Sequence, residues 1–479
     1  MFLLNKRRPD LWLPTYALTA ASRAYGHMQR RQRLTHIIFL VCDHFEPRHG
    51  IKHDDQPFQR LDTWRKEYAL FQQRCRASFG SSPLHTWFYP PHHGVEHLSS
   101  LAEMVFDGLG EVELHYHHHG DTYDSLKRDL GASIAEYHRW GLLLESGENP
   151  KTAFGFIHGD WALANSGHGK FCGVNDELKL LEEFGCWGDL TMPSGNECQT
   201  RKINSIYYAS GDPQRPKSHN WGRDAQVGRS DGSGLLLMQG PLGINWRGPN
   251  HPRIENASLT TRNWGRPDRV RKWLDCNIHV KGRPEWQFVK LHTHGAIERD
   301  FDALFGDKAF AMHRILNEQY NDGRRYRLHY VTARQAYNIA KAAEDGKEGD
   351  PSEWLDYRIQ PQAHAFYALD AAHDLRSCTK TRLVLANIEA NRSVQLRTRV
   401  EPITQLAGWL QEVEVDCAAE SMRIEVSRAG TDVILELDAS CQLGEVHGGS
   451  VSSASGSSAA GPLSITAKQR QCVIKYRQR

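Results

Sequence analysis

The sequence predicts an α/β protein, a distorted (β/α)7-type parallel barrel followed by a smaller all-β domain. Three observations predict it. Short apolar runs alternate with stretches of helical spacing up to residue 346, the grammar of βα units and a parallel sheet. Nearly every apolar run ends in polar, histidine-rich residues, and in a parallel barrel such ends converge on one face. Beyond residue 355 the helical spacing stops and period-two alternation takes over.

The elements follow in order. Residues 1–35 contain Lys6, Arg7, Arg8, Arg30, Arg31 and Arg33 and read as a basic arm, solvated or resting on a membrane surface. Their opening is not expected to direct secretion, because the cations follow the apolar residues and Pro9 and Asp10 interrupt them. The barrel is expected over 36–346. "HIIFLVC" (36–42) is a continuous run rich in β-branched residues, as a strand covered on both faces requires. Further strands are expected at "TWFYPPHH" (86–93), "EVELHYHHH" (111–119), "AFGFIHGD" (153–160), "DLTMPS" (189–194), "GLLLMQG" (234–240) and "WQFVKLHTH" (286–294). Helices are expected between them at 95–110, 123–140, 175–185 and 267–276. A last short strand then leads into a helix, with Thr332 and Gln335 as its capping box and Gly346 as its stop. Residues 347–355 read as a linker and 356–479 as the all-β domain, with a flexible Gly/Ser loop at 448–461.

Composition narrows the function. A net charge of +2 makes no case for a nucleic-acid partner, and a mean hydropathy of −0.59 with no long apolar run predicts no transmembrane helix. Ten cysteines without a single CxxC pair suit a reducing compartment, so a cytoplasmic location is expected. Oligomeric state leaves no mark on the sequence.

The chemistry concentrates at strand ends. "EVELHYHHHGD" (111–121) places His115, His117, His118 and His119 within five positions. Asp43 and His44 end the first expected strand, and His292 and His294 end the last. Together these resemble the polysaccharide deacetylases, the NodB-like carbohydrate esterases, over about residues 36 to 345. That family carries an Asp-Asp pair after its first strand, His-x-x-x-His after a middle strand and a late Leu-x-Leu-His.

The resemblance implies a metal-dependent hydrolase that removes acetyl groups from an N-acetylated sugar, sugar lipid or polysaccharide precursor. It makes His115 and His119 metal ligands, Asp43 the general base, and His292 or His294 the general acid. Where the family has its second aspartate this chain has His44, which can still ligate, and three histidines with an open position are a catalytic zinc arrangement. The expected cofactor is therefore a divalent metal, zinc above others. Glu46 competes as base or ligand, and His117 alternates onto the same strand face as His115 and His119 and competes as ligand.

"HGDWALAN" (158–165) replaces the family's loop after the next strand and makes His158, Asp160, Trp161 and Asn165 substrate-loop residues. The same stretch fits the catalytic loop of aminoglycoside-type phosphotransferases, although no Gly-rich hairpin precedes it. Trp221, Trp246, Trp264 and Trp273 lie among Asn, Arg and Gly and would suit a sugar or simply pack. A catalytically inactive carbohydrate-binding relative is the main alternative to the deacetylase.

Overall fold

The computed structural model describes residues 8–30, 33–138, 140–145, 151–229, 233–248 and 252–362. Beyond 362 it describes residues 373–374, 382–385, 393–397, 410–416, 421–426, 431–437, 441–453, 463–467 and 471–478. The chain divides into two compact units, and the first comprises Met1–His97, Met104–Ala135 and Leu143–Gln362. The second holds Leu98–Glu103, Glu136–Leu142 and Ala363–Arg479.

The first unit is built on a mixed, largely parallel sheet. Its strands are β1 (Thr35–His44), β2 (His85–Tyr89), β3 (Gly110–Tyr116), β4 (Phe154–His158), β5 (Cys186–Asp189), β6 (Ile206–Ala209), β7 (Arg223–Asp224), β8 (Leu235–Met238), β11 (Trp286–Thr293) and β12 (Tyr326–Tyr330). The hydrogen-bonded order is β11-β1-β2-β3-β4-β5-β8-β6-β7. Every residue of β1 is buried, which is why the sequence there is continuously apolar until it reaches Asp43. Along one edge β1 pairs with β11 from His36 to Asp43; along the other it meets β12 at Thr35–Phe39 and then β2 at Cys42–His44.

The path is open among the described residues, yet the sheet curls. Lys290 on β11 donates from its buried ammonium to the carbonyls of Leu190 and Met192, just beyond β5. A flat sheet would set β11 and β5 about 24 Å apart, five strand spacings of ~4.8 Å, far beyond a lysine's reach. One core cluster joins Ile38, Leu40, Phe88, Ile157, Leu236 and Phe288 to the alanine-rich face of the helix Ala333–Glu344. That helix has the expected capping box, Thr332 with Gln335, and Gly346 follows its end at φ 75°.

Several elements differ from expectation. The strand expected at 189–194 lies at Cys186–Asp189, with Gly188 and Asp189 in the ladder with β8; Leu190 and Met192 are buried as well, but beyond the end of the strand. The antiparallel strands β6 and β7 and the small hairpin of β9 (Gly243–Asn245) and β10 (Arg253–Glu255) were not expected. They are short pieces in polar surroundings, where no periodicity develops. Residues Pro9–Leu18 and Ala20–Arg30 are helices, and Trp12 is buried with Ile203 and Leu242. No described helix is long and apolar enough to cross a membrane.

In the second unit the described residues after 362 form two sheets. One is six-stranded, in hydrogen-bonded order His373–Asp374, Ser393–Arg397, Leu410–Asp416, Ser421–Val426, Gln471–Gln478 and Cys441–His447. The other is four-stranded, in order Arg382–Leu385, Thr431–Leu437, Leu463–Ala467 and Gly449–Ser453. Of the expected loop at 448–461, Gly449–Ser453 is a strand paired with Leu463–Ala467; residues 454–461 lie outside the described residues.

Candidate metal centre

The carboxyl ends of β1, β3, β4 and β11 deliver their polar residues to one place. His44 and Glu46 come from β1 and the turn after it, His115 and His117 from β3 and its extension, and His294 from just past β11. Asp160 and Trp161 come from the loop after β4, where both adopt positive φ of 53° and 58°. Gly159 allows the close approach: a Cβ there would stand 2.4 Å from Cγ of His117.

Glu46, His115 and His117 form the centre of this group, with one ligand atom of each lying within 4.8 Å of the others. The Nε2 atoms of His115 and His117 are 2.9 Å apart, and Glu46 Oε1 lies 3.1 Å from the second and 3.7 Å from the first. Nδ1 of His115 faces the Ile157 carbonyl at 2.9 Å, and Nδ1 of His117 faces Asp160 Oδ2 at 3.3 Å. Both acceptors require the proton on Nδ1, which leaves a lone pair on each Nε2. Two lone pairs and a carboxylate aimed at one point repel unless a cation or a proton lies among them. His44 adds to this demand: its Nε2 is buried without a hydrogen-bond partner, and its ring is 4.8 Å from those of His115 and His294. Two imidazoles, a carboxylate and a third imidazole with an unpartnered Nε2 are a donor set that fits a divalent metal.

The electrostatics agree. Burial alone would push Glu46 up, but hydrogen bonds from His115 and His117 and the charges of His115 and His294 hold its carboxyl far below the usual range. Burial pushes His117 down, and Asp160 and Glu46 more than reverse it. His44 lies well below the ordinary imidazole value, first through burial and then through His115, His294 and His292. Its ring is therefore neutral and free to donate a lone pair.

The mouth is formed by half-buried groups. Asp160 and His294 have side chains 42% and 33% exposed, and His294 Nε2 lies 3.9 Å from Glu46 Oε2. The Trp161 ring leans on His44 and His294, and its Nε1 is buried without an acceptor. His92 packs its ring 5.0 Å from His117, and burial pulls its pKa to about 4.

Not every expected residue is here. Asp43 is fully buried in the wall: Gly295 N–H donates to its Oδ1 at 2.6 Å and His85 Nε2 lies 2.9 Å from Oδ2. Alternation along β1 explains this, since consecutive side chains point to opposite faces and His44 takes the face of the cluster. His119 is exposed and accepts from Phe171 N–H at 3.1 Å, so the ring beside His115 is that of His117. His292 is buried next to His44, its ring 6.1 Å away. His158 turns away to His118 and Glu177. Asn165 is spent inside its loop, donating to Asn175 and accepting from Gly169 N–H, which separates it from the metal-holding part a phosphotransferase would need. Trp273 is a core residue, and Trp246 lines a cavity of about 960 Å³ at the opposite, amino ends of β1, β11 and β12.

No protein-family model matches the sequence, and no curated protein matches it. Among solved structures, a candidate polysaccharide deacetylase from Mycobacterium smegmatis aligns at 13% identity and TM-score 0.36, covering 66% of this chain and 94% of its own. A candidate glycoside hydrolase/deacetylase from Parabacteroides distasonis aligns at 11% identity and TM-score 0.33, covering 82% and 80%. A GH57 branching enzyme from Thermococcus kodakaraensis aligns at 11% identity and TM-score 0.30, covering 60% and 68%. Likenesses of this size assign neither activity nor substrate.

Proposed function

We propose that this chain is a metal-dependent hydrolase of a deacetylase-like barrel, removing acetyl groups from an N-acetylated sugar, sugar lipid or polysaccharide precursor. One observation carries the reading: the lone pairs of His115 and His117 and the Glu46 carboxylate converge beside a half-exposed carboxylate, a half-exposed imidazole and an indole with a free N–H. Glu46, His115 and His117 would hold the ion, with His44 as a further donor, and zinc suits these ligands. Bound there, a divalent ion supplies Lewis-acid polarisation of a carbonyl and a nucleophile at neutral pH.

The chain's own residues do the rest. Asp160, kept ionised by its hydrogen bond to His117, takes the proton from the attacking water as oxygen adds to the acetyl carbon. When the C–N bond breaks, His294 gives a proton to the departing amine. Asp160 also holds His117 by Nδ1, so it positions a ligand as well as moving a proton. The Trp161 ring offers a flat apolar face for a pyranose.

The test is acetate release from a panel of N-acetylated sugars and sugar lipids, with metal measured in parallel. Wild type should release acetate. Glu46→Gln should lose both metal and activity, and Asp160→Asn should keep the metal while turnover falls by roughly 10²- to 10⁴-fold. A filled metal site with no release from any substrate would overturn hydrolysis in favour of a carbohydrate-binding role.

A further inference from the structure

A second histidine cluster lies on the other face of β3 and β4, and the proposed hydrolysis makes no use of it. His118, just past β3, meets His158 at the end of β4, Cys172 from the returning loop and Glu177, the first residue of the helix Glu177–Glu183. The four ligand atoms all lie within 4.8 Å of one another. His118 Nε2 is 2.9 Å from His158 Nε2 and 3.0 Å from Glu177 Oε1; His158 Nε2 is 3.3 Å from the same oxygen. Cys172 Sγ is 3.7 Å from Glu177 Oε2. Ligands on a tetrahedral zinc, with bonds of ~2.0 to 2.3 Å, stand roughly 3.3 to 3.8 Å apart, so these spacings need only slight opening.

An independent observation shows that something belongs between them. Nδ1 of His118 is taken by Asp121 Oδ2 at 3.0 Å, and Nδ1 of His158 by the Gly159 carbonyl at 2.5 Å. With Nδ1 so engaged, each ring in its neutral form carries its proton there and turns a bare Nε2 lone pair toward the other. The partners are themselves fixed: Ser125 donates to the other oxygen of Asp121 at 2.7 Å, and Ala164 N–H donates to Glu177 Oε2 at 2.7 Å. Acceptors behind each imidazole are what metal-ligating histidines have.

We infer that His118, His158, Cys172 and Glu177 form a second metal site, a closed four-ligand site of the zinc class, that fastens the loop carrying Asp160 and Trp161. Two neutral imidazoles, a thiolate and a carboxylate balance a divalent ion, so the assembly is neutral. Neutrality matters here, because His158 and Cys172 are 0% exposed, Glu177 1% and the His118 side chain 4%. Four protein ligands leave no open position, which makes the site structural. The loop has reason to need one. Asp160, Trp161, Ala164, Asn165, His168 and Phe171 all hold positive φ, between 48° and 68°, without being glycine. Backbone of that kind persists only where its surroundings over-determine it, and ligands at 158, 172 and 177 tie the loop at both ends. The site stands whether or not the first cluster hydrolyses anything; only its service to Asp160 and Trp161 depends on that reading.

The experiment uses the untagged full chain, purified without chelators, and its cobalt-substituted form. Cys172 supplies the only sulfur in either cluster, so cobalt in the second site should give a thiolate-to-cobalt charge-transfer band. Cys172→Ser should remove that band and one equivalent of metal per chain. Glu46→Gln should remove a different equivalent and keep the band, which separates failure of this site from failure of the first. X-ray absorption of the wild-type zinc protein should show a sulfur neighbour at about 2.3 Å, about half a sulfur per zinc when both sites are filled, a readout that does not need the variant to fold. A metal complement without a sulfur neighbour, or a band that survives Cys172→Ser, would overturn the assignment. So would a metal-free cluster, in which one proton shared by the two imidazoles fills the gap.

Discussion

Asp43→Asn separates the wall of the sheet from its chemistry. Both oxygens of this buried carboxylate are engaged, Oδ1 by Gly295 N–H at 2.6 Å and Oδ2 by His85 Nε2 at 2.9 Å. An asparagine has one oxygen, so it can serve one partner while its NH2 confronts the other. A hydrogen bond to a charged group is worth about 1.5 to 3 kcal/mol, and a buried unsatisfied donor adds to the loss. The expected cost is therefore about 2 to 4 kcal/mol, read as a lower urea midpoint at unchanged slope. Relief is blocked, because Trp64 donates to the Gly295 carbonyl at 2.8 Å and a Cβ at Gly295 would stand 2.0 Å from Asp43 Oδ2. Metal content and acetate release by the folded variant should remain near wild type, whereas Asp160→Asn should keep the urea midpoint and the metal and lose turnover. An Asp43→Asn protein with an unchanged urea midpoint and turnover reduced by about 100-fold or more would refute this, and would restore Asp43 as the base.

Gly159→Ala should displace His117, whose Cγ lies 2.4 Å from the new Cβ, and weaken metal binding at the first cluster in an equilibrium titration while circular dichroism stays unchanged. His119→Ala should leave metal content intact and His117→Ala should lower it, since only the second ring faces His115 and Glu46. Asp189 gives a pH signature. Burial raises its carboxyl from 3.8 to about 7, against hydrogen bonds from Thr191 and the charge of Lys290. The folded state then holds a proton that the unfolded state has released, so stability should fall as pH climbs from about 4 to 7, at up to ~1.4 kcal/mol per unit. Asp189→Asn should flatten that slope in urea melts taken across the range.

The scaffold was legible in the sequence because it is written in composition. "HIIFLVC" had to be a doubly covered strand, and β1 is buried throughout. The capping box of Thr332 and Gln335 is local chemistry, readable without any tertiary knowledge. What the sequence hid depends on contacts that no window contains. Glu46 is three residues past Asp43 and was visible only as a rival. Cys172 and Glu177 carry no spacing signature at all, since they reach His118 and His158 through a loop held in left-handed conformations.

His119 shows how a motif and a geometry part company. A pair four residues apart reaches one metal only if the backbone turns between them. Extended chain rises about 3.3 Å per residue, so residues i and i+4 stand roughly 13 Å apart and i and i+2 only about 6.6 Å. β3 runs to Tyr116, and the next ring on the face of His115 is that of His117. The same alternation sends His118 through to the opposite face, where His158 waits with its own lone pair. Four histidines in five positions thus divide by parity. His115 and His117 serve one cluster and His118 the other, while His119 is left on the surface.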